Sequence, residues 1–242
     1  METVEASLGG FVERFRDERG APTITTHGPA VYDDLHRVLE RFDATVEHEY
    51  LSVPESAGYL TVDLAGERVG SVPASAFDDL LDPPRRQPWD RETRESGFRT
   101  LTSLLAGVEF RNLGKPHLLS VSREFEDRAW HAGRGTLHAG FQSLTAFRYQ
   151  IPVFGRLDGA TDLTVRVYAE PDWVPPEPLG FEVRTEAGGE LGRYWLLALD
   201  DGDEMACALL AEETRPGRYS GVWTYDADAV RDLSAYLDET YR

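Results

Sequence analysis

The sequence predicts an α+β fold (mixed α/β), with helices packed on a mixed sheet that ends in an antiparallel C-terminal meander. Three observations predict it. Apolar residues recur at helical spacing in several separate stretches, most with a capping residue, a proline entry or a glycine stop at one end. Between them lie short alternating or continuous apolar runs of strand length. Near the end two continuous apolar runs, residues 194–199 and 205–211, are joined by the acidic turn DDGDE, so they should pair antiparallel as buried strands, with residues 219–225 as a third. No internal repeat and no heptad pattern is present, which excludes solenoids and coiled coils.

Taken in order, Leu8, Phe11, Val12 and Phe15 mark a first helix with Ser7 as N-cap and Gly20 as stop. Residues 22–26 read as a short strand. Val31, Leu35, Val38, Leu39 and Phe42 give a second amphipathic helix entered through Pro29. Residues 45–53 (TVEHEYLSV) alternate like a half-buried strand that Pro54 ends, and residues 59–64 and 68–72 flank the hairpin signal Ala65-Gly66-Glu67. Residues 74–81 form a short acidic helix. The three prolines of residues 82–90 (DPPRRQPWD) make this stretch the best linker candidate, between an N-terminal α/β module, residues 1–88, and a second domain, residues 89–242; a long loop within one domain is the alternative.

In that second domain Phe98, Leu101, Leu105 and Val108 mark one helix and Leu118, Val121, Phe125 and Ala129 the next, with Gly133 as its C-cap and Gly135 serving the following turn. Glu124 and Arg128 sit at i,i+4 on its exposed side. Residues 163–168 alternate as a strand, PDWVPPEP after it is a rigid loop, and Val230, Leu233, Leu237 and Tyr241 form a last helix capped by Asp226 or Asp228.

The 242 residues carry 43 Asp and Glu against 25 Lys and Arg, a net charge of −18, and Lys115 is the single lysine. An acidic surface almost without lysine suits molar salt, where a Debye length of roughly 3 Å screens self-repulsion. An acidic protein whose codons favour arginine is the alternative. The charge opposes DNA, RNA and anionic membranes, whose binding rests on Lys and Arg contacts to phosphate. The densest basic spots are only Arg85-Arg86 and the alternation of Arg91, Arg94 and Arg99. No apolar run approaches the ~18 residues of a membrane span, and the acidic N-terminal stretch METVEASLGGFVERF lacks the pattern of a signal peptide, so a cytoplasmic setting is expected.

Templates for known chemistry are absent: no GxSxG, no GxxxxGK[ST], no HExxH, and no EF-hand spacing in DDGDE. His131 and His138, seven apart, match no usual zinc pattern, and the one cysteine, Cys207, sits in apolar surroundings that suit an inert buried thiol. No metal, cofactor or catalytic residue is therefore assigned. The segment SREFEDRAW, residues 122–130, is the densest polar stretch on a helix. Read structurally, it is a solvated face with ion pairs that fix the helix. Read functionally, it is a polar cluster facing a cleft. Glu126 and Asp127 point about 100° apart on a helix and do not converge as paired carboxylate catalysts must.

Taken together, SREFEDRAWHAGRGTLHAGFQ, VRVYAEPDWVPP, YWLLALDDGDEMACALLAEE and YSGVWTYDADAV resemble the DICT sensory domain, in the form found in stand-alone proteins of halophilic archaea. The resemblance covers roughly residues 90–242. It implies a signal-input module and a non-catalytic sensory or regulatory role. The chain holds no recognisable kinase, GGDEF or phosphodiesterase motif, so such a sensor must pass its signal to a separate protein partner. The ligand expected is small and polar or anionic, with Arg123, Glu126, Arg128, His138, Gln142, Trp223 and Asp226 as candidate ligand or partner residues. An enzyme with an unrecognised carboxylate or histidine site, and a structural adaptor, are the rival classes.

Overall fold

The computed structural model describes residues 7–16, 20–82, 87–89, 97–176 and 178–242. Helix α1 (Leu8–Phe15) starts where the spacing predicts: the Ser7 hydroxyl accepts from the Gly10 N–H at 3.1 Å, and Leu8, Phe11 and Phe15 are buried. Strand β1 (Thr23–Gly28) leads through α2 (Asp33–Leu39) to β2 (Thr45–Tyr50), which lies parallel to β1 as a βαβ crossover requires. Strand β3 (Tyr59–Leu64) returns antiparallel to β1 and turns into β4 (Glu67–Pro73), completing a sheet of order β2-β1-β3-β4. The turn is Ala65-Gly66, with φ of +52° and +83°, the left-handed geometry whose twist matches a tight hairpin. Strand β2 keeps its alternation but buries little, because it is the sheet edge. A 3-10 turn and α3 (Phe77–Leu81) follow. Most of the expected linker, residues 83–86 and 90, lies outside the described residues, as do Arg85, Arg86, Arg91 and Arg94 and the first six residues of the N-terminal stretch.

The remainder runs α4 (Gly97–Leu104), β5 (Phe110–Gly114), α5 (Lys115–Ala132), β6 (Arg134–Phe141), α6 (Leu144–Phe147), α7 (Ile151–Ala160), β7 (Asp162–Ala169), β8 (Glu182–Thr185), β9 (Tyr194–Asp200), β10 (Cys207–Arg215), β11 (Arg218–Thr224) and α8 (Ala227–Thr240). These strands form a second sheet of order β5-β11-β10-β9-β6-β7-β8. Strands β6, β7 and β8 are parallel, whereas β9, β10 and β11 form the antiparallel meander that the apolar runs predict, attached to β6 through β9. The fold is thus α+β with a mixed sheet.

Both faces of this sheet are covered. On one face Leu197, Leu199, Leu209, Ala211 and Trp223 meet Leu118, Val121, Phe125 and Ala129 of α5, together with α4, α7 and the apolar side of the first sheet. On the other, Leu196, Ala198, Ala208, Leu210 and Val222 meet α1 and α8. The N-terminal segment is also tied by main chain to β5: the Asp43 N–H donates to the Glu109 carbonyl at 2.7 Å and the Arg111 N–H to the Arg41 carbonyl at 2.6 Å. Phe42, Phe110 and Trp223 stack at that junction with ring centroids 5.4–6.4 Å apart. Ile24, Leu60 and Val72 therefore share one apolar cluster with the residues of the large sheet.

Two readings are corrected here. Gly135 does not serve a turn; it lies inside β6 at φ +100°, where a Cβ would come within 2.4 Å of the Asp200 carbonyl oxygen. Glu124 and Arg128 do not sit on an exposed side: Glu124 is largely covered and paired with Arg99, and Arg128 reaches the carbonyls of Glu204 and Met205. Gly133, at φ +63°, closes α5 as predicted, its N–H bonding the Ala129 carbonyl.

A Cβ on Gly221 would stand 2.0 Å from the Leu210 carbonyl oxygen and 2.7 Å from the Ala211 Cα, both main-chain atoms of the neighbouring strand. Gly221→Ala is expected to lower stability by about 2–3 kcal/mol. Ala65→Asn, which places a residue tolerant of positive φ in the hairpin, is expected to raise it by about 0.5–1 kcal/mol. Urea unfolding midpoints of both variants at molar salt check the two signs together.

Candidate functional site

Helix α5 is held by an apolar stripe, and its chemistry lies on the flank of that stripe. Ser122 and Glu126 are one turn apart, so they share a side of the helix, and both are buried. The Ser122 hydroxyl donates to the Leu118 carbonyl at 3.1 Å and accepts from the Trp195 indole N–H at 3.0 Å. The Arg123 guanidinium donates through Nη1 to Glu126 Oε2 and through Nη2 to Gln150 Oε1, the latter at 2.7 Å. The Glu126 side chain is 5 % exposed and that of Arg123 10 %. Burial raises the Glu126 carboxyl to about 7, against the opposing pull of Arg123. Desolvation outweighs pairing, as is common for buried ion pairs.

The cluster extends to the loop that leaves β6. Trp195, at the start of β9, meets Tyr219 edge-on with ring centroids 5.7 Å apart. The Gln142 amide donates to Glu213 Oε2 at 3.4 Å, and Glu213 is the cross-strand partner of Tyr219. Ser122, Trp195 and Tyr219, with Gln142 beside them, and Arg123, Glu126 and Gln150 thus form two neighbouring groups that make up one polar and aromatic set along this flank of α5, near the carboxyl end of β6. There the sheet changes from parallel to antiparallel pairing. Open α/β sheets hold their ligands outside the carboxyl ends of strands.

Of the seven residues singled out from the sequence, the structure brings Arg123, Glu126 and Gln142 into this set and places the other four elsewhere. Arg128 lies further along α5, donating at 3.0 Å to the Glu204 carbonyl with its guanidinium 4.7 Å from the centre of the Tyr225 ring. Trp223 is buried in the core, its indole N–H donating to the Thr102 carbonyl at 2.7 Å. Asp226 caps α8, accepting from the Ala229 N–H at 2.9 Å. His138 points to the opposite face of the sheet, under α8. Its Nδ1 pairs with the Tyr168 hydroxyl and its Nε2 with the Ser234 hydroxyl, each at 2.8 Å. Burial, with smaller contributions from Arg166 and Arg184, lowers this imidazole to about 3. Burial also pushes the Cys207 thiol up to about 12, which makes it a poor nucleophile.

Ser122, Gln150, Trp195 and Tyr219 are the members of the set that sequence reasoning missed. Trp195 carried the one available signal: an indole in an aliphatic strand needs a hydrogen-bond acceptor when it is covered. Gln150 and Tyr219 carry none, because only the packing of α7 and β11 brings them to α5. Among the described residues no three of His, Cys, Asp and Glu are placed to hold a metal ion, and no helix is long and apolar enough to cross a membrane.

Most of this geometry lies within a stretch that is similar to sensory domains from signalling proteins. Residues 99–214 match the family model of DICT, the sensory domain in diguanylate cyclases and two-component systems. The match runs from α4 into β10 and includes Ser122, Arg123, Glu126, Gln142, Gln150 and Trp195; it ends before Tyr219, Trp223 and Asp226. This supports a sensory or regulatory role. No curated protein matches the chain. Solved structures similar to it include a polyphosphate kinase from Porphyromonas gingivalis, at 11% identity and a TM-score of 0.39, over 98% of this chain. The chain spans 48% of that kinase's length.

Glu126 and His138, both buried, respond to pH with opposite signs. Glu126 holds its proton more tightly in the folded chain, so its contribution is complete below the usual value of 4.5 and is lost as pH rises to about 7, a fall of about 3 kcal/mol. His138 is favoured neutral, so its contribution is complete above 6.5 and is lost as pH falls toward 3. Denaturation measured across pH is expected to show Glu126→Gln flattening the first slope and leaving the second. His138→Leu removes the second slope and, by stranding the Tyr168 and Ser234 hydroxyls, costs about 2–4 kcal/mol at every pH.

Proposed function

We propose that this chain is a non-catalytic sensory protein that binds a small anionic ligand at Arg123 and passes the signal to another protein by contact. Three observations support the reading. The DICT match covers most of the cluster, the cluster lies at the carboxyl end of β6, and a guanidinium there is neutralised by a carboxylate that burial pushes toward protonation. The last carries the proposal.

A buried ion pair contributes little net stability, so an incoming anion can take the place of its acid at small cost. A ligand carboxylate or phosphate would accept from the planar Arg123 fork bidentately, and Glu126, released, would take up a proton. Gln150 would keep the guanidinium oriented during the exchange, and Trp195 would supply a flat apolar wall. Ligand binding and proton uptake are then linked, and affinity rises as pH falls through about 7. The displaced Glu126 would shift the balance between two packings of α5 on the sheet, which is the form a transmitted signal takes. On this reading residues 1–88 are a scaffold module for residues 89–242, holding the far side of α4 and α5. The molar-salt, cytoplasmic setting read from composition belongs to the same proposal.

Native mass spectrometry of the purified chain tests it. The expected result is a stoichiometric anionic small molecule on the unmodified chain that is absent from Arg123→Met, with unchanged circular dichroism. An unmodified chain without such a molecule, or an equal load on both proteins, overturns the assignment.

A further inference from the structure

Two loops leave the carboxyl ends of β6 and β7 side by side, and their outer surface is at odds with the rest of this acidic molecule. On the inner side they are firmly held. Phe147 of α6 sits in a cage of Phe141, Phe154 and Phe181, with ring centroids 5.1–5.9 Å away. The Leu144 N–H donates to the Glu170 carbonyl at 3.1 Å, and the Thr145 N–H to Asp172 Oδ1 at 2.8 Å, so the two loops are joined to each other. On the outer side Tyr149 is 70 % exposed and Val174, next to the half-buried Trp173, is 83 % exposed. The Arg148 guanidinium lies 4.8 Å from the Tyr149 ring centre and 5.9 Å from that of Trp173, which joins the four side chains into one patch. Tyrosine, tryptophan and arginine on a rigid support are the residue types that dominate binding energy at protein interfaces.

The patch also carries what such a surface recognises. Val174 and Pro175 each precede a proline in the sequence Val174-Pro175-Pro176, which biases both toward the extended polyproline conformation. Segments of that kind dock against aromatic side chains. Acceptor and donor halves therefore lie next to each other on one surface, which is the requirement of an isologous two-fold interface. Charge agrees: among the described residues the patch offers an exposed cation, Arg148, and an exposed carboxylate, Asp172, so a two-fold pairing sets each Arg148 against the opposite Asp172.

We propose that a second copy of this chain docks here, the Val174–Pro176 segment of each copy lying on Tyr149 and Trp173 of the other. The interface is independent of the Arg123 cluster, although Gln150, which accepts from Arg123, follows Tyr149 directly in the chain. Sedimentation velocity of the full chain at molar salt, over a concentration series, tests the proposal. The expected result is a dimer of twice the chain mass. Tyr149→Ser combined with Val174→Asp is expected to return it to monomer without a change in melting temperature. Val31→Asp, at an exposed apolar residue distant from these loops in the sequence, is expected to leave the dimer intact, as is Arg123→Met. A monomer at every concentration overturns the proposal and points to a different protein as the occupant. A dimer that survives the double substitution also overturns it.

Discussion

The large sheet must be covered on both faces, and the rest of the structure depends on that requirement. Strands β9 and β10 are apolar without alternation, so neither side can face water. One helical layer would leave Leu196, Ala198 and Leu210 or Leu197, Leu199 and Leu209 exposed. The chain meets this by using its two ends on one face: α1 and α8 share a cluster in which Phe11 lies 5.5 Å from Tyr236, and Arg14 pairs with Asp232 at the rim. The other face takes α4, α5 and α7, backed by the apolar side of the small sheet. Every polar group caught between these layers then needs a partner within the protein, since burial strips most of its hydration. His138 finds two hydroxyls, Trp223 and Trp195 find a carbonyl and a serine, and Arg123 finds Glu126 and Gln150.

The parts of this plan that follow from local pattern were legible in the sequence. The helices α1, α2, α4, α5 and α8 show stripes; the meander shows its apolar runs and acidic turn; Ser7, Gly133 and Asp226 cap where capping chemistry says they should. Strand β6 was not legible, although it is central. Its sequence RGTLHAGF reads as a turn because it carries two glycines and a histidine, yet each is there for a reason of packing. Gly135 lets the chain pass Asp200, Gly140 leaves room for Leu196, and His138 is accepted only because Tyr168 and Ser234 arrive from β7 and α8. Helix α7 was hidden by the proline and glycines in IPVFGRLDGA, and β5 and β8 are too short to show a period.

The candidate site divides in the same way. Arg123 and Glu126 stood out because five charges lie on nine residues of one helix and cannot all face the core. Their partners did not, since Gln150, Trp195 and Tyr219 reach α5 only through tertiary packing. Arg128, Trp223 and Asp226 are explained by ordinary structural work: a guanidinium on main-chain carbonyls, an indole filling the junction of two sheets, and a helix cap. Residue type alone does not separate these roles, because the same side chains do both kinds of work. What separates them is whether the group's charge is settled by its surroundings.

That criterion sets the His138 network and the Arg123–Glu126 pair apart. Under α8 the His138 network is neutral, and both ring nitrogens face hydroxyls that can adapt as donor or acceptor. Nothing in it is gained by exchange, so it fastens α8 to the sheet. Under α5 the Arg123–Glu126 pair holds two charges where burial disfavours charge, and its acid is shifted toward the neutral form. Replacing Glu126 by an external anion removes one unfavourable charge from the interior while keeping the guanidinium paired. On the proposed reading the element that would respond is therefore α5 rather than α8. Arg123 also holds Gln150, at the entry to α7, so the pair fixes the start of that helix as well as α5. On the proposed reading, an exchange at this pair would change how α5 and the start of α7 are held while leaving both apolar layers in place.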